Sequence, residues 1–135
     1  MANFGLAKNS PWYGPNFFDL VTWTIGAEVS HVINVAMQLQ TARGVNLGAP
    51  AHFRFFLSDV STGIGITATA LTSAIVIGTN GALLLSDVSE EMCTLVTNAT
   101  GQVDVNLTQS ASPQSYYPCI LLPNGNVLVG PKITF

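Results

Sequence analysis

His31-Val32-Ile33-Asn34-Val35-Ala36-Met37-Gln38-Leu39-Gln40 alternates with a period of two. Ile33, Val35, Met37 and Leu39 point one way, and Asn34, Ala36, Gln38 and Gln40 point the other. Successive side chains of a strand face opposite sides, so this stretch is a β-strand with one buried face. Upstream, Leu20-Val21-Thr22-Trp23-Thr24-Ile25 is β-branched and aromatic throughout and predicts a second strand. Downstream, Arg43-Gly44-Val45-Asn46 turns the chain into Ala51–Asp59, where Phe53, Phe55 and Leu57 share one face and Arg54 and Phe56 the other.

The alternation continues toward the C-terminus. Gly63-Ile64-Gly65-Ile66-Thr67 fits either a strand or an extended loop, because alternating glycines weaken strand preference. Ala74–Gly78 predicts a short strand, and Asn80-Gly81, a favoured type I′ pair, predicts a hairpin returning through Ala82–Leu85. Glu90–Asn98 places Met92, Thr94 and Val96 opposite Cys93, Leu95 and Thr97. Gln102–Thr108 alternates with Val103, Val105 and Leu107 inward. After the polar connection Gln109–Ser115, strands at Tyr116–Leu122 and Val127–Phe135 flank the tight turn Pro123-Asn124-Gly125-Asn126. Eight or nine short strands, with turn signals every eight to twelve residues and no helical stripe, predict an all-β fold: an antiparallel Ig-like sandwich, with a small barrel as the alternative.

Residues 1–19 differ from the rest. Phe4, Trp12, Tyr13, Phe17 and Phe18 are interleaved with Pro11, Gly14 and Pro15, which forbid a regular element. The organisation expected is therefore an aromatic N-terminal arm, 1–19, preceding a sandwich domain, 20–135. An aromatic arm docks either on a partner or over the end of its own domain. The segment has no basic start followed by a continuous apolar run, so a signal peptide is not expected and a cytosolic origin is. Cys93 and Cys119 are then expected as free, buried thiols. The Asn98-Ala99-Thr100 and Asn106-Leu107-Thr108 triplets read as strand and turn chemistry.

Charged residues make up 8% of the 135-residue chain, against about 25% in an ordinary soluble domain. A surface so poor in charge belongs either in a membrane or against other protein. The uncharged stretches Val60–Ser86 and Val105–Pro131 are long enough to span a bilayer, but glycine, asparagine, glutamine and proline interrupt both. A surface covered by copies of the chain or by a partner is the better account. A net charge of −3, with no two basic residues adjacent, argues against nucleic acid.

No constellation carries catalysis. His31 and His52 stand alone, without carboxylate or thiol partners at metal-ligand spacing. Phosphate loops, nucleophile elbows and Cys-x-x-Cys pairs are absent from the sequence. Asp87, Glu90 and Glu91 read as a solvated acidic loop rather than a cation site. Arg54 is either simply exposed or paired across a subunit contact. The expectation is a non-enzymatic protein with no cofactor and no metal, acting through surface contact.

Several blocks resemble, in order, a family of small proteins from the structural-gene region of tailed bacteriophages and prophages. They are Thr24–Glu28, Val32–Leu39, Phe56–Asp59, Val76–Gly81, Leu121–Val129 and Ile133–Phe135. The resemblance spans residues 24–135 and rests on turns and strand cores, so it implies a fold family and names no active site. It implies a virion component on the capsid surface, assembled in the bacterial cytoplasm: a decoration or cement protein whose partner is the major capsid protein. Phe4, Trp12, Tyr13, Phe17, Phe18 and Arg54 are then the candidate contact residues. Self-association, for example as a trimer, fits both the bare surface and shell symmetry. A receptor- or glycan-binding module on a tail or head fibre is the alternative, and a hydrolase of host-surface polymer ranks third.

Overall fold

A computed structural model describes residues 18–135. Within them the chain forms ten strands: β1 (Leu20–Ile25), β2 (Val32–Gln40), β3 (His52–Ser58), β4 (Val76–Ile77), β5 (Ala82–Val88), β6 (Met92–Val96), β7 (Gln102–Thr108), β8 (Ser115–Leu121), β9 (Val127–Val129) and β10 (Ile133–Thr134). All pairings are antiparallel. One sheet runs β1-β2-β7-β4; the other runs β10-β8-β3-β6-β5, with β9 also on β8. Neither closes on itself, which rules out the barrel alternative. β1, β2, β7 and β4 occupy the positions of strands A, B, E and D of an Ig-like sandwich, and β3, β8 and the β9–β10 edge those of C, F and G. The β5–β6 hairpin is an addition on the outer side of β3.

Alternation puts one face of each strand into the core. Ile33, Val35, Met37 and Leu39 of β2 and Val103, Val105 and Leu107 of β7 meet Phe53, Phe55 and Leu57 of β3, Leu95 of β6 and Ile120 of β8. Burying side chains of this size contributes about 1.5–3 kcal/mol each before the entropy of ordering them is subtracted. Trp23, on edge strand β1, closes one side: its ring lies where a Cβ on Gly130 would sit, so only glycine fits there.

Two sequence expectations need correction. The hairpin at Asn80-Gly81 does not form, because β4 pairs with β7 in one sheet while β5 pairs with β6 in the other. Of the two turn residues only Gly81 has positive φ (83°), whereas a type I′ turn needs both. The type I′ turn instead lies at Ser30-His31, with φ of 53° and 67°, closed by reciprocal Val29–Val32 hydrogen bonds of 2.9 and 3.0 Å. The C-terminal strand is split into β9 and β10 by Gly130-Pro131-Lys132, which makes ten strands where eight or nine were expected. Of the two alternatives for Gly63–Thr67, the structure has the loop.

The boundary of the arm also moves. Phe18 is 1% exposed and meets Phe53 edge-to-face with ring centroids 5.8 Å apart. Asp19 donates its N–H to the Gln40 carbonyl at 3.1 Å. Both residues belong to the sandwich. Phe18 is therefore a core side chain and is unavailable as a partner anchor, because its ring fills the space between the sheets.

Candidate docking surface

The register of β3 determines which residues look outward from the six-stranded sheet. Phe53, Phe55 and Leu57 face the core, so His52, Arg54, Phe56 and Ser58 lie on the other side of the strand, where His52 and Arg54 are exposed and Phe56 and Ser58 are covered. Their Cα partners follow: Val96, Thr94 and Met92 on β6, and Leu121, Cys119 and Tyr117 on β8. Leu85 and Val88 of β5 continue the row beside Thr94 and Met92. The outer face thus carries Val96, Met92, Leu121, Leu85 and Val88 as its apolar groups, with Arg54 as the cation that β3 places among them. Arg54 is exposed and forms no ion pair among the described residues.

The loop after β3 shapes this face. Asp59 Oδ2 accepts the Ala68 N–H at 2.9 Å, Thr67 Oγ1 donates to Asp59 Oδ1, and the Thr67 N–H donates to the Leu57 carbonyl at 2.7 Å. These bonds fold residues 60–66 back across β8 and β9. Gly63, at φ 72°, lies so close that a Cβ there would come within 2.8 Å of both Val127 and Val129 and 3.2 Å of Cys119 Sγ. Ile64 then stands out from the face, 79% exposed. Between this loop and β6 lies a hollow of about 340 Å³ walled by Phe56, Ile64, Ile66, Met92, Leu121 and Val127. A neighbouring hollow of about 420 Å³ is bordered by His52, Arg54, Thr94, Leu121 and Pro123.

β5 is the open edge of the sheet. Leu83, Leu84, Leu85 and Val88 are all exposed, Leu84 and Leu85 at 57% and 58%. Irregularities between Leu83 and Leu85 and between Leu85 and Val88 break the ladder to β6, a feature that blunts strand-by-strand addition at an edge. The sequence shows Ala82–Leu85 as apolar strand, but nothing local to it reveals that the strand is an edge; that follows from β4 and β5 joining different sheets.

Of the contact residues expected from sequence, Arg54 lies on this face. Phe4, Trp12, Tyr13 and Phe17 fall outside the described residues. Asp87 is not part of an acidic cation cluster: its Oδ2 accepts from Thr94 Oγ1 at 2.8 Å, on the same outer face as Arg54. Among the described residues no group of three or more His, Cys, Asp or Glu side chains is arranged to hold a metal ion. His31 Nδ1 lies 3.7 Å from Glu28 Oε1 at the β1–β2 turn, remote in sequence and sheet from His52. Cys93 and Cys119 are free and buried on opposite faces of the six-stranded sheet. Burial, aided by the charge of Asp87, pushes the Cys93 thiol up to about 12, and burial alone does the same to Cys119. Both stay as inert thiols at neutral pH.

The remaining buried polar groups serve the fold. Gln109 donates from Nε2 to Tyr116 Oη at 2.6 Å and to the Ala70 carbonyl at 3.1 Å, and its Oε1 accepts the Ala111 N–H at 3.0 Å. Burial raises the Tyr116 phenol, the Gln109 hydrogen bond works against this, and the charges of Asp59 and Glu91 add to the rise. The face of the four-stranded sheet carries Asn34, Asp104 and Asn106 in one network at 2.8 Å.

No family model, curated protein or solved structure matches the chain.

Proposed function

We propose that this chain is a structural protein of a tailed-phage virion, binding the capsid shell as a decoration or cement protein that stabilises the head. The observation that carries the reading is the outer face of the six-stranded sheet. Exposed Leu85 and Val88 and half-buried Met92, Leu121 and Val127 make an apolar surface around the buried Phe56, on a chain with only 8% charged residues. Contiguous apolar surface of this kind marks an interaction site. The chain works by contact rather than catalysis, and its site is a surface rather than a cleft lined with acids, bases or ligands. Assembly covers the apolar face, and residues 1–17, with Phe4, Trp12, Tyr13 and Phe17, supply aromatic anchors for the major capsid protein.

The test is composition of purified particles from the phage or induced prophage that encodes the chain. Heads should carry it in fixed ratio to the major capsid protein. Heads lacking it should lose their DNA at lower temperature. Presence only in tails, or absence from particles, overturns the proposal.

A further inference from the structure

We infer that the outer face of β3, β6 and β5 is a twofold self-association surface, on which Arg54 of one copy meets Asp87 of the other. The inference concerns what covers the apolar face from which the virion reading is also argued; the state of the purified chain tests the one, and the composition of particles the other.

Thr94 is the centre of the geometry. It is the Cα partner of Arg54 on β3 and of Leu85 on β5, and its hydroxyl holds the Asp87 carboxylate on the outer face. A cation and an anion therefore flank Thr94 on either side, Arg54 one strand spacing of about 5 Å away and the Asp87 carboxylate within 2.8 Å of the Thr94 hydroxyl. They make no ion pair with one another. A twofold axis lying over β6, parallel to it, exchanges the two sides. It sets Arg54 against the partner's Asp87 and Asp87 against the partner's Arg54, so the charge pattern is self-complementary, as an isologous interface requires.

The apolar groups obey the same exchange. The axis carries β5 of the second copy over β3 of the first. Val88, which pairs with Met92 along the row, then comes over Phe56, into the hollow walled by Ile64, Met92 and Leu121. Ile64 stands above the opposite copy's exposed β5 edge, where Leu85 is 58% exposed. A projecting loop on one side of the axis and an apolar strand with open flank on the other are what two copies need to cover each other. The ladder irregularities in β5 direct this contact face to face rather than edge to edge.

The experiment uses the purified full chain in sedimentation equilibrium up to about 1 mM, with circular dichroism to verify folding. The wild-type chain is expected to form a dimer. Arg54→Asp and Asp87→Arg should each raise the dimer dissociation constant by about tenfold or more, because each juxtaposes like charges twice. Mixing the two variants in equal amounts should restore dimer. In the heterodimer the copy with acidic groups at both places faces the copy with basic groups at both, so each contact again joins opposite charges. A wild-type monomer or trimer throughout, single variants that dimerise like wild type, or a mixture that stays monomeric would each overturn the inference. Should either charge variant fail to fold, Val88→Glu is read instead: a tenfold weakening supports the twofold face, and an unchanged dimer refutes it.

Discussion

Asp104 on β7 accepts a hydrogen bond from Asn34 Nδ2 on β2 at 2.8 Å, and the same carboxylate takes the backbone N–H groups of Thr79 at 2.9 Å and Asn80 at 2.6 Å. One side chain thereby ties the central strand pair of the four-stranded sheet to the segment where the chain leaves β4 for the other sheet. Gly78 is required beside it, because a Cβ there would collide with the carboxylate. The Thr79 N–H, which a two-residue hairpin at Asn80-Gly81 would need for its closing pair, is thus already engaged by Asp104.

Removing that carboxylate should loosen the crossing from one sheet to the other. Asp104→Ala leaves the Thr79 and Asn80 donors without their acceptor, a loss of about 1–3 kcal/mol. Asp104→Asn keeps the shape but replaces one acceptor by a donor, and should cost less. Chemical denaturation of the purified variants measures both.

The same site sets an acid limb. Burial raises the Asp104 pKa, but the hydrogen bonds from Asn34 and from the Asn80 and Thr79 backbones outweigh it and hold the carboxyl below its ordinary value of 3.8. A group whose folded pKa is depressed contributes fully above its unfolded value and loses that contribution as pH falls through the folded one. Stability of the wild-type chain should therefore decline as pH is lowered below about 4, and the decline should be shallower in Asp104→Asn. Equal acid limbs in the two proteins would remove Asp104 as the cause.

Gly63 makes a separate, local prediction. Its positive φ and the proximity of Val127, Val129 and Cys119 leave no place for a side chain. Gly63→Ala should cost about 1 kcal/mol or more from backbone strain alone. The larger effect should be on access, since the 60–66 loop covers Cys119 while Cys93 is sealed in the core on the other face. Thiol labelling of the folded variant, read by peptide mass, should accelerate at Cys119 and not at Cys93. Equal acceleration at both would mean global loosening rather than release of the loop.

Alternation along β2, β3 and β7 made the inward faces legible from sequence, because each strand has one face in the core and a period of two cannot be shifted without exposing it. Partner choice was not legible in the same way. Asn80-Gly81 has the composition of a type I′ turn and Ser30-His31 does not, yet the latter forms it, since Val29 and Val32 are brought together by the pairing of β1 with β2. That Leu83–Leu85 lie at an edge depends on where the neighbouring strands go, information held more than ten residues away. Likewise the sequence puts Phe18 in an aromatic arm that docks either on a partner or over its own domain, and only the contact with Phe53 assigns it to the core. Arg54 could be placed on the outward face of its strand, but its relation to Asp87 through Thr94 required the register of β3, β6 and β5 together.

Phe18→Ala tests that reassignment. A buried phenylalanine truncated in a close-packed core costs about 3–5 kcal/mol, and the lost edge-to-face contact with Phe53 belongs to that sum. The variant should melt well below the wild-type chain. If Phe18 were an anchor for a partner, its truncation would leave the isolated chain as stable as before and weaken only assembly.

The buried pair Gln109 and Tyr116 supplies the last prediction. The Tyr116 ring packs edge-to-face on Phe135 with centroids 6.1 Å apart, so the ring itself belongs to the core and should be retained in Tyr116→Phe. Only the hydroxyl is lost. Gln109 Nε2 keeps the Ala70 carbonyl as acceptor, and Oε1 keeps the Ala111 N–H. The substitution therefore forfeits the short hydrogen bond from Gln109 and the long one, 3.5 Å, from the phenol to the Ala70 carbonyl without orphaning the amide, a cost of about 1 kcal/mol. Gln109→Leu removes the donor to Tyr116 and to Ala70 together, leaves the Ala111 N–H without its acceptor, and leaves the phenol and the Ala70 carbonyl only their mutual 3.5 Å hydrogen bond, so it should cost distinctly more. The two costs, measured by denaturant titration of each variant, should stand in that order; the reverse order would show that the phenol, rather than the amide, organises the connection between β7 and β8.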